Sequence, residues 1–147
     1  MTYDYFLKIA LDGGAYTPIR AHETDAGLDL RSPVDVTIPA GGDVVIDTGV
    51  HIEIPCGFVG FLKSKSGLNV KHGIISEGVI DTGYTGSIVV KLYNLSDESY
   101  EIKAGDKITQ LVIKKIIIPK IRIVNTVEEL YDGYTERGNG GFGSTGK

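Results

Sequence analysis

The sequence predicts an all-β fold, a sandwich or barrel, with at most one short helix. Three observations predict it. Short runs of alternating apolar and polar residues recur at close spacing. Clusters of Gly, Pro, Asp and Asn punctuate them. Glycine makes up 20 of the 147 residues, roughly 14% against a usual ~7%. Each interior glycine costs a helix about 1 kcal/mol relative to alanine, so a helical bundle is excluded. The length suits one domain, and 41% hydrophobic with 23% charged residues argues against global disorder.

The elements follow in chain order. Residues 6–10 (FLKIA) read as a first strand. Residues 34–38 (VDVTI) alternate and stop at Pro39 and Gly41. Residues 50–54 (VHIEI) alternate again and stop at Pro55 and Gly57, and residues 58–62 follow. The one helix is expected at residues 66–71. Residues 78–86 (GVIDTGYTG) read as a hairpin with its turn at Thr82 and Gly83. Residues 87–93 are β-branched and end at Asn94. Residues 107–118 are rich in isoleucine, and residues 121–124 (IRIV) close the series. No repeat at a solenoid period is evident.

Bulk properties exclude several classes. A net charge of −4 gives no basic face for a nucleic-acid polymer, though a single nucleotide needs only a few local groups. The one cysteine, Cys56, has no intramolecular disulfide partner and reads as an inert turn residue. The first residues carry Asp4 and no apolar signal-like core. The most apolar stretch, residues 108–119, is interrupted by Lys114 and Lys115 and is far short of a ~20-residue span. His22, His51 and His72 lack metal spacing. A cytoplasmic protein without a membrane partner is expected, or one of the host cytoplasm if phage- or virus-encoded.

Five segments carry chemistry rather than core. In residues 25–32 (DAGLDLRS), Asp29 interrupts a strand-like run; a solvent-facing carboxylate would also explain it. In residues 63–68 (KSKSGL), cations alternate with hydroxyls before a glycine. Lys65, Ser66 and the following N–H groups could converge on a phosphate, and a basic surface loop is the plain alternative. In the third segment Asp81 stands at a strand end and Tyr84 just past the turn. In residues 105–112, Gln110 sits in an apolar strand, as a hydrogen-bonded core amide or a ligand contact. The last fifteen residues hold six glycines and little apolar bulk beyond Phe142. A disordered tail is one reading. The order of Arg137, Phe142, Ser144 and Thr145 among glycines is instead suited to wrapping a phosphorylated, flat-based ligand.

Taken together and in this order, the five segments resemble the trimeric dUTP diphosphatase (dUTPase) family. The resemblance runs from about Asp25 to Gly146. It implies a distorted jelly-roll β-barrel spanning residues 1–132, a homotrimer with sites at subunit interfaces, and a flexible C-terminal arm, residues 133–147, that closes over a site. It implies that Asp81 activates the attacking water and that Tyr84 packs under the deoxyribose. The backbone of Gly78, Val79 and Ile80 would recognise uracil. Lys65, Ser66, Gly67 and Gln110 would lie at the phosphates. Arg137 would pair with the terminal phosphate, Phe142 would cover the uracil, and Gly143, Ser144 and Thr145 would add phosphate contacts. Mg²⁺ would be held mainly by substrate phosphates, with Asp29 acting on it through water.

Two positions depart from the family pattern. Lys65 stands where members usually carry Arg, keeping the charge without the planar fork. Residues 72–77 (HGIISE) lack the Asn that many members use for the pyrimidine, and Glu77 occupies that region.

The expected reaction is dUTP plus water giving dUMP and pyrophosphate. The alternatives are a dCTP deaminase-like or bifunctional enzyme, a regulatory protein-binding member of the same fold, and a jelly roll using its tail for assembly. Residues 87–93 hold no glutamate of the kind that deaminase chemistry uses.

Overall fold

The computed structural model describes residues 6–146. The chain divides into two compact units, Met1–Ile117 and Ile118–Lys147. Strands of the first unit are β1 (Ile9–Leu11), β2 (Gly27–Arg31), β3 (Val36–Ile38), β4 (Asp43–Asp47), β5 (Val50–Ile52) and β6 (Phe58–Lys63). After helix α1 (Ser66–His72) come β7 (Ile74–Ile75), β8 (Glu77–Ile80), β9 (Val89–Asn94), β10 (Tyr100–Ile102) and β11 (Lys107–Lys115). The second unit carries one 3₁₀ turn, Val127–Leu130. Among the described residues no helix is long and apolar enough to cross a membrane.

The fold is all-β. The main sheet has the order β2-β11-β6-β8, and a second sheet has the order β4-β9-β7. The pairs β1-β5 and β3-β10 form two-stranded ladders. Every strand pairing is antiparallel. Leu30, Leu62 and Leu111 of the main sheet and Ile46, Val90 and Leu92 of the second belong to one buried cluster. Each such side chain contributes ~1.5–3 kcal/mol on burial. β9 shows the alternation clearly: Val90, Leu92 and Asn94 point inward, while Val89 and Tyr93 are exposed.

Helix α1 has no fully buried residue, though Leu68 packs against the core, and it ends at Gly73, whose φ of 66° caps it in the left-handed region. Lys71 and His72 complement the dipole in its last turn.

Several expectations need correction. Residues 78–86 do not form a two-stranded hairpin: the turn at Thr82 and Gly83 exists, but β8 pairs with β6 while β9 pairs with β4 and β7. Residues 121–124 form no strand; Ile121 and Ile123 are 94% and 91% exposed, with no neighbouring strand to pair them. Strands β4 and β10 were not anticipated. Acidic residues at both ends of β4 disguise it as turn, and β10 is only three residues long.

Candidate active site

The site's cationic end is built around Asp29. In β2 it lies opposite Gln110 of β11, and Gln110 in turn lies opposite Lys63 of β6. Asp29 is not solvent-facing: it is 4% exposed. A carboxylate this buried requires partners. It has two, the ammonium group of Lys65 and that of Lys107, the latter at 3.1 Å. Burial opposes ionisation, but hydrogen bonds and charge from Lys65 and Lys107 outweigh it and hold the Asp29 carboxyl below its ordinary value. Two cations on one anion leave this end of the sheet positive.

The loop carrying Lys65 is braced from below. Gln110 Nε2 donates to the Ser64 carbonyl at 3.0 Å, so the amide is a backbone brace rather than a free ligand group. Ser64 Oγ donates to the Ser76 carbonyl and accepts from the Ser76 N–H. Ser76 Oγ lies 2.7 Å from Thr109 Oγ1, and Thr109 donates to the Lys63 carbonyl at 3.0 Å. Ser76 and Thr109 are fully buried, so this network fixes the loop in a low-dielectric setting. Lys63 bonds Glu77 across the strands at 2.7 Å. Above the brace, Ser66 is exposed and the space over Gly67 is open. Gly27 is bare because Gln110 Oε1 occupies the position a β-carbon would take.

The second group of residues is the turn after β8. The Tyr84 N–H bonds the Asp81 carbonyl at 3.2 Å, closing a turn through Gly83, whose φ is 87°. Thr82 Oγ1 lies 3.1 Å from the carbonyls of Pro55 and Phe58 and ties the turn to the start of β6. Tyr84 is 45% exposed and donates its hydroxyl to the Ser87 carbonyl at 2.9 Å. Its ring fills the space a β-carbon on Gly86 would need. Asp81 is exposed, and among the described residues its carboxylate has no bonded partner. Gly78 is bare because Leu62 fills the space beside it, Val79 is 60% exposed and Ile80 is a core residue. Only backbone is offered by Gly78 and Ile80. A cavity of about 890 Å³ adjoins this turn, lined by His51, Ile54, Thr82 and Tyr84 among others.

One chain does not bring these two groups together. Lys63 pairs with Glu77, and Gly60 pairs with Ile80. Lys65 therefore follows one end of the β6–β8 ladder and Asp81 follows the other. From Glu77 to Asp81, four residues at strand rise span roughly 13 Å, and Lys65 lies two residues further out.

In the second unit, residues 137–146 fold into successive tight turns. The N–H groups of Gly140, Ser144 and Gly146 bond the carbonyls of Arg137, Gly141 and Gly143. Arg137 Nε donates to the Gly140 carbonyl at 3.0 Å. Phe142 is fully exposed and has a φ of 45°, unusual for a residue with a side chain. Thr145 is exposed beside it.

Contributors not singled out in the sequence include Lys107 beside Asp29, Gly86 under Tyr84, and the buried Ser76 and Thr109 of the brace. No metal-ligating group of three or more His, Cys, Asp or Glu gathers among the described residues.

The family model described as dUTPase matches residues 15–146. The chain belongs to the dUTPase family. All five segments lie within the match but for the final residue of the chain. The deoxyuridine 5'-triphosphate nucleotidohydrolase of Paramecium bursaria Chlorella virus 1 is 43% identical over 133 residues, 90% of this chain and 91% of that protein. The Saccharomyces cerevisiae protein of the same name is 40% identical, with 99% and 97% covered. Among solved structures, the Staphylococcus bacteriophage 80alpha dUTPase with dUpNHpp superposes with a TM-score of 0.84 at 34% identity, covering 97% of this chain and 99% of that one. That work describes phage dUTPases as controlling transfer of virulence genes. A variant of the phage phi11 dUTPase of S. aureus, described for coordination of a structural Mg(II) ion, gives a TM-score of 0.78 at 31% identity, covering 84% and 99%. The dUTPase relationship thus spans both the braced cationic loop and the Asp81 turn.

Proposed function

We propose that this chain is a dUTP diphosphatase, hydrolysing dUTP to dUMP and pyrophosphate as a homotrimer of distorted jelly-roll subunits in the cytoplasm. One observation carries the assembly: the cationic loop and Asp81 stand at opposite ends of one ladder. A working site needs both, so each is completed by another copy. The bare isoleucines Ile117, Ile118, Ile121 and Ile123 supply apolar surface that such copies would cover.

Asp81 accepts a proton from the water that attacks the α-phosphorus. The bond from that phosphorus to the bridging oxygen breaks, and its electron pair leaves with pyrophosphate. The free carboxylate of Asp81 suits this role, since no cation among the described residues of its own chain competes for it. Lys65, Ser66 and the N–H of Gly67 face the phosphates, with Lys65 aimed by Asp29 and the loop held by Gln110. Tyr84 seats the deoxyribose, and the backbone of Gly78, Val79 and Ile80 reads the uracil edge. Residues 133–147 act as an arm over a site built by other copies. Arg137 uses Nε locally and keeps its two terminal nitrogens for the last phosphate. Phe142 covers the base, while Gly143, Ser144 and Thr145 add donors.

The residues present suit Mg²⁺ carried on the phosphates rather than caged by protein. Asp29 is already neutralised by two lysines, which leaves it to act on the ion's water shell. When bound, the ion neutralises charge developing on the leaving pyrophosphate.

The test mixes two dead variants. Asp81→Asn and Lys65→Ala are each expected to hydrolyse dUTP poorly with assembly intact. Unfolded together and refolded, they should regain pyrophosphate release, because some sites receive both intact groups. No recovery in correctly assembled mixtures overturns the shared-site reading. Near-normal turnover by Asp81→Asn removes it from the base role.

A further inference from the structure

His51 lies in β5 between the core residues Val50 and Ile52, and alternation turns its ring the other way. The imidazole faces a hydrogen-bond acceptor at each nitrogen. Nδ1 is 2.7 Å from the Thr85 carbonyl, and Nε2 is 3.1 Å from Asp12 Oδ2. A neutral imidazole has one N–H and one lone pair, so it can satisfy only one of two acceptors. The imidazolium satisfies both. Thr85 directly follows Tyr84 in the turn.

We propose that His51 is a positioning residue for nucleotide binding: as an imidazolium clamped between the Thr85 carbonyl and the Asp12 carboxylate, it fixes the turn that presents Tyr84. This rests on the reading of Tyr84 as the seat of the deoxyribose. The next anchor along is independent. Asp47 accepts from the Ser87 hydroxyl and from the Gly49 N–H, while Ser87 offers its carbonyl to the Tyr84 hydroxyl. His51 thus holds the Thr85 end of the stretch and Asp47 holds the Ser87 end.

The charged and titratable surroundings agree. Asp12 from the segment after β1 and Asp47 from the end of β4 are the anions nearest the ring. Lys8 and Glu53 line the same cavity but pair with each other at 3.0 Å. Cys56 and Tyr84 complete its titratable wall. The Thr85 carbonyl and then the Asp12 carboxylate raise the His51 pKa above the usual histidine value, with desolvation opposing. The clamp is therefore intact at low pH and lost as pH rises through that raised value. Losing the proton turns a lone pair toward one of the acceptors and frees the ring.

The experiment measures KM and kcat for dUTP from pH 6 to 9 in the assembled protein, for wild type, His51→Gln and Asp12→Asn. Wild-type KM should rise with pH by about tenfold, the scale of one charge-assisted hydrogen bond. In His51→Gln, KM should already be high at pH 6 and stay level, with kcat little changed. In Asp12→Asn the rise should move to lower pH. All three proteins share the same catalytic groups and the same nucleotide, so pH effects from these cancel in the comparison. Nitrogen-15 shifts of the His51 ring in the nucleotide-free protein give a second reading: both nitrogens should carry protons at pH 6.5. A folded His51→Gln with wild-type KM throughout, or a singly protonated ring at pH 6, overturns the proposal. Tyr84→Ala separates the two failures. If it leaves the preference for dUTP over UTP intact, the reading of Tyr84 falls. If it removes that preference while His51→Gln behaves as wild type, only the His51 clamp falls.

Discussion

The ring of Tyr84 occupies the space in which Gly86 would need to place a β-carbon: Cε2 of the ring would lie 2.9 Å from it, and Cζ and Oη nearer still. Tyr84 is held by its hydroxyl at Ser87, so the ring can make room only by giving up that bond.

Gly86→Ala is therefore expected to displace Tyr84 rather than to unfold the protein. Overpacking of this kind costs about 1–3 kcal/mol, and here the strain is relieved by moving an exposed ring. The preference for dUTP over UTP should shrink while the melting temperature stays close to wild type. Steady-state kinetics with both nucleotides, beside a thermal melt, checks this.

Asp29 joins two lysines, and removing its charge leaves both without a counter-ion. Asp29→Asn should lose about 1–2 kcal/mol of stability at pH 7, because the two lysines left behind are partly solvated. The pH dependence has a definite sign. The two lysines hold the native carboxyl below its ordinary value, so its contribution is fully present above that ordinary value and is lost as pH falls through the lower, native one. Stability of the wild type should fall more steeply than that of Asp29→Asn below pH 4. Urea titrations at a series of pH values read both effects.

Thr109→Val keeps volume but deletes a buried hydroxyl with two partners, Ser76 and the Lys63 carbonyl. It should cost about 2 kcal/mol, because both partners are left unsatisfied. It should also loosen the Lys65 loop, so KM for dUTP rises even where the protein is fully folded. Denaturation and kinetics on the same sample distinguish the two consequences.

A chain ending at Glu136 should assemble and melt like the full protein, since the residues removed bury almost nothing. Its kcat/KM for dUTP should fall by about a hundredfold through loss of Arg137, Phe142 and the arm's donors. Sedimentation and pyrophosphate release measure the two halves of this expectation.

Much of the site was legible because its residues break the local pattern. Asp29 in an apolar strand and Gln110 in another are costly unless something uses them, and both turn out to have partners, two lysines for Asp29 and the Ser64 carbonyl for Gln110. The burial of Asp29 was not legible, because its two lysines come from distant parts of the chain, Lys65 from the loop after β6 and Lys107 from the start of β11. Lys107 escaped for a geometric reason. Strict alternation puts Lys107 and Gln110 on opposite faces. The register shift between Lys107 and Thr109 reverses the parity, so Lys107 joins Asp29 while Ile108 and Thr109 are both buried. The apparent hairpin misled for the converse reason. Its turn chemistry is real, but the strands on either side leave for different sheets, and no short-range signal records which neighbour a strand will choose. The isoleucine-rich segment 121–124 has the composition of a strand, yet a strand needs a partner backbone and this unit supplies none.

The placement of Asp81 and Lys65 at opposite ends of one ladder has a genetic consequence. On the proposed assembly, a chain owns no site of its own; it lends one half to one neighbour and another half to a second. A damaged copy then impairs sites whose other contributors are sound. Mixed with wild type, a folded Asp81→Asn chain should behave as a diluted poison, each copy silencing the one site it serves. A copy defective in both groups should silence two. Harm would scale with the number of broken copies multiplied by the sites each one serves.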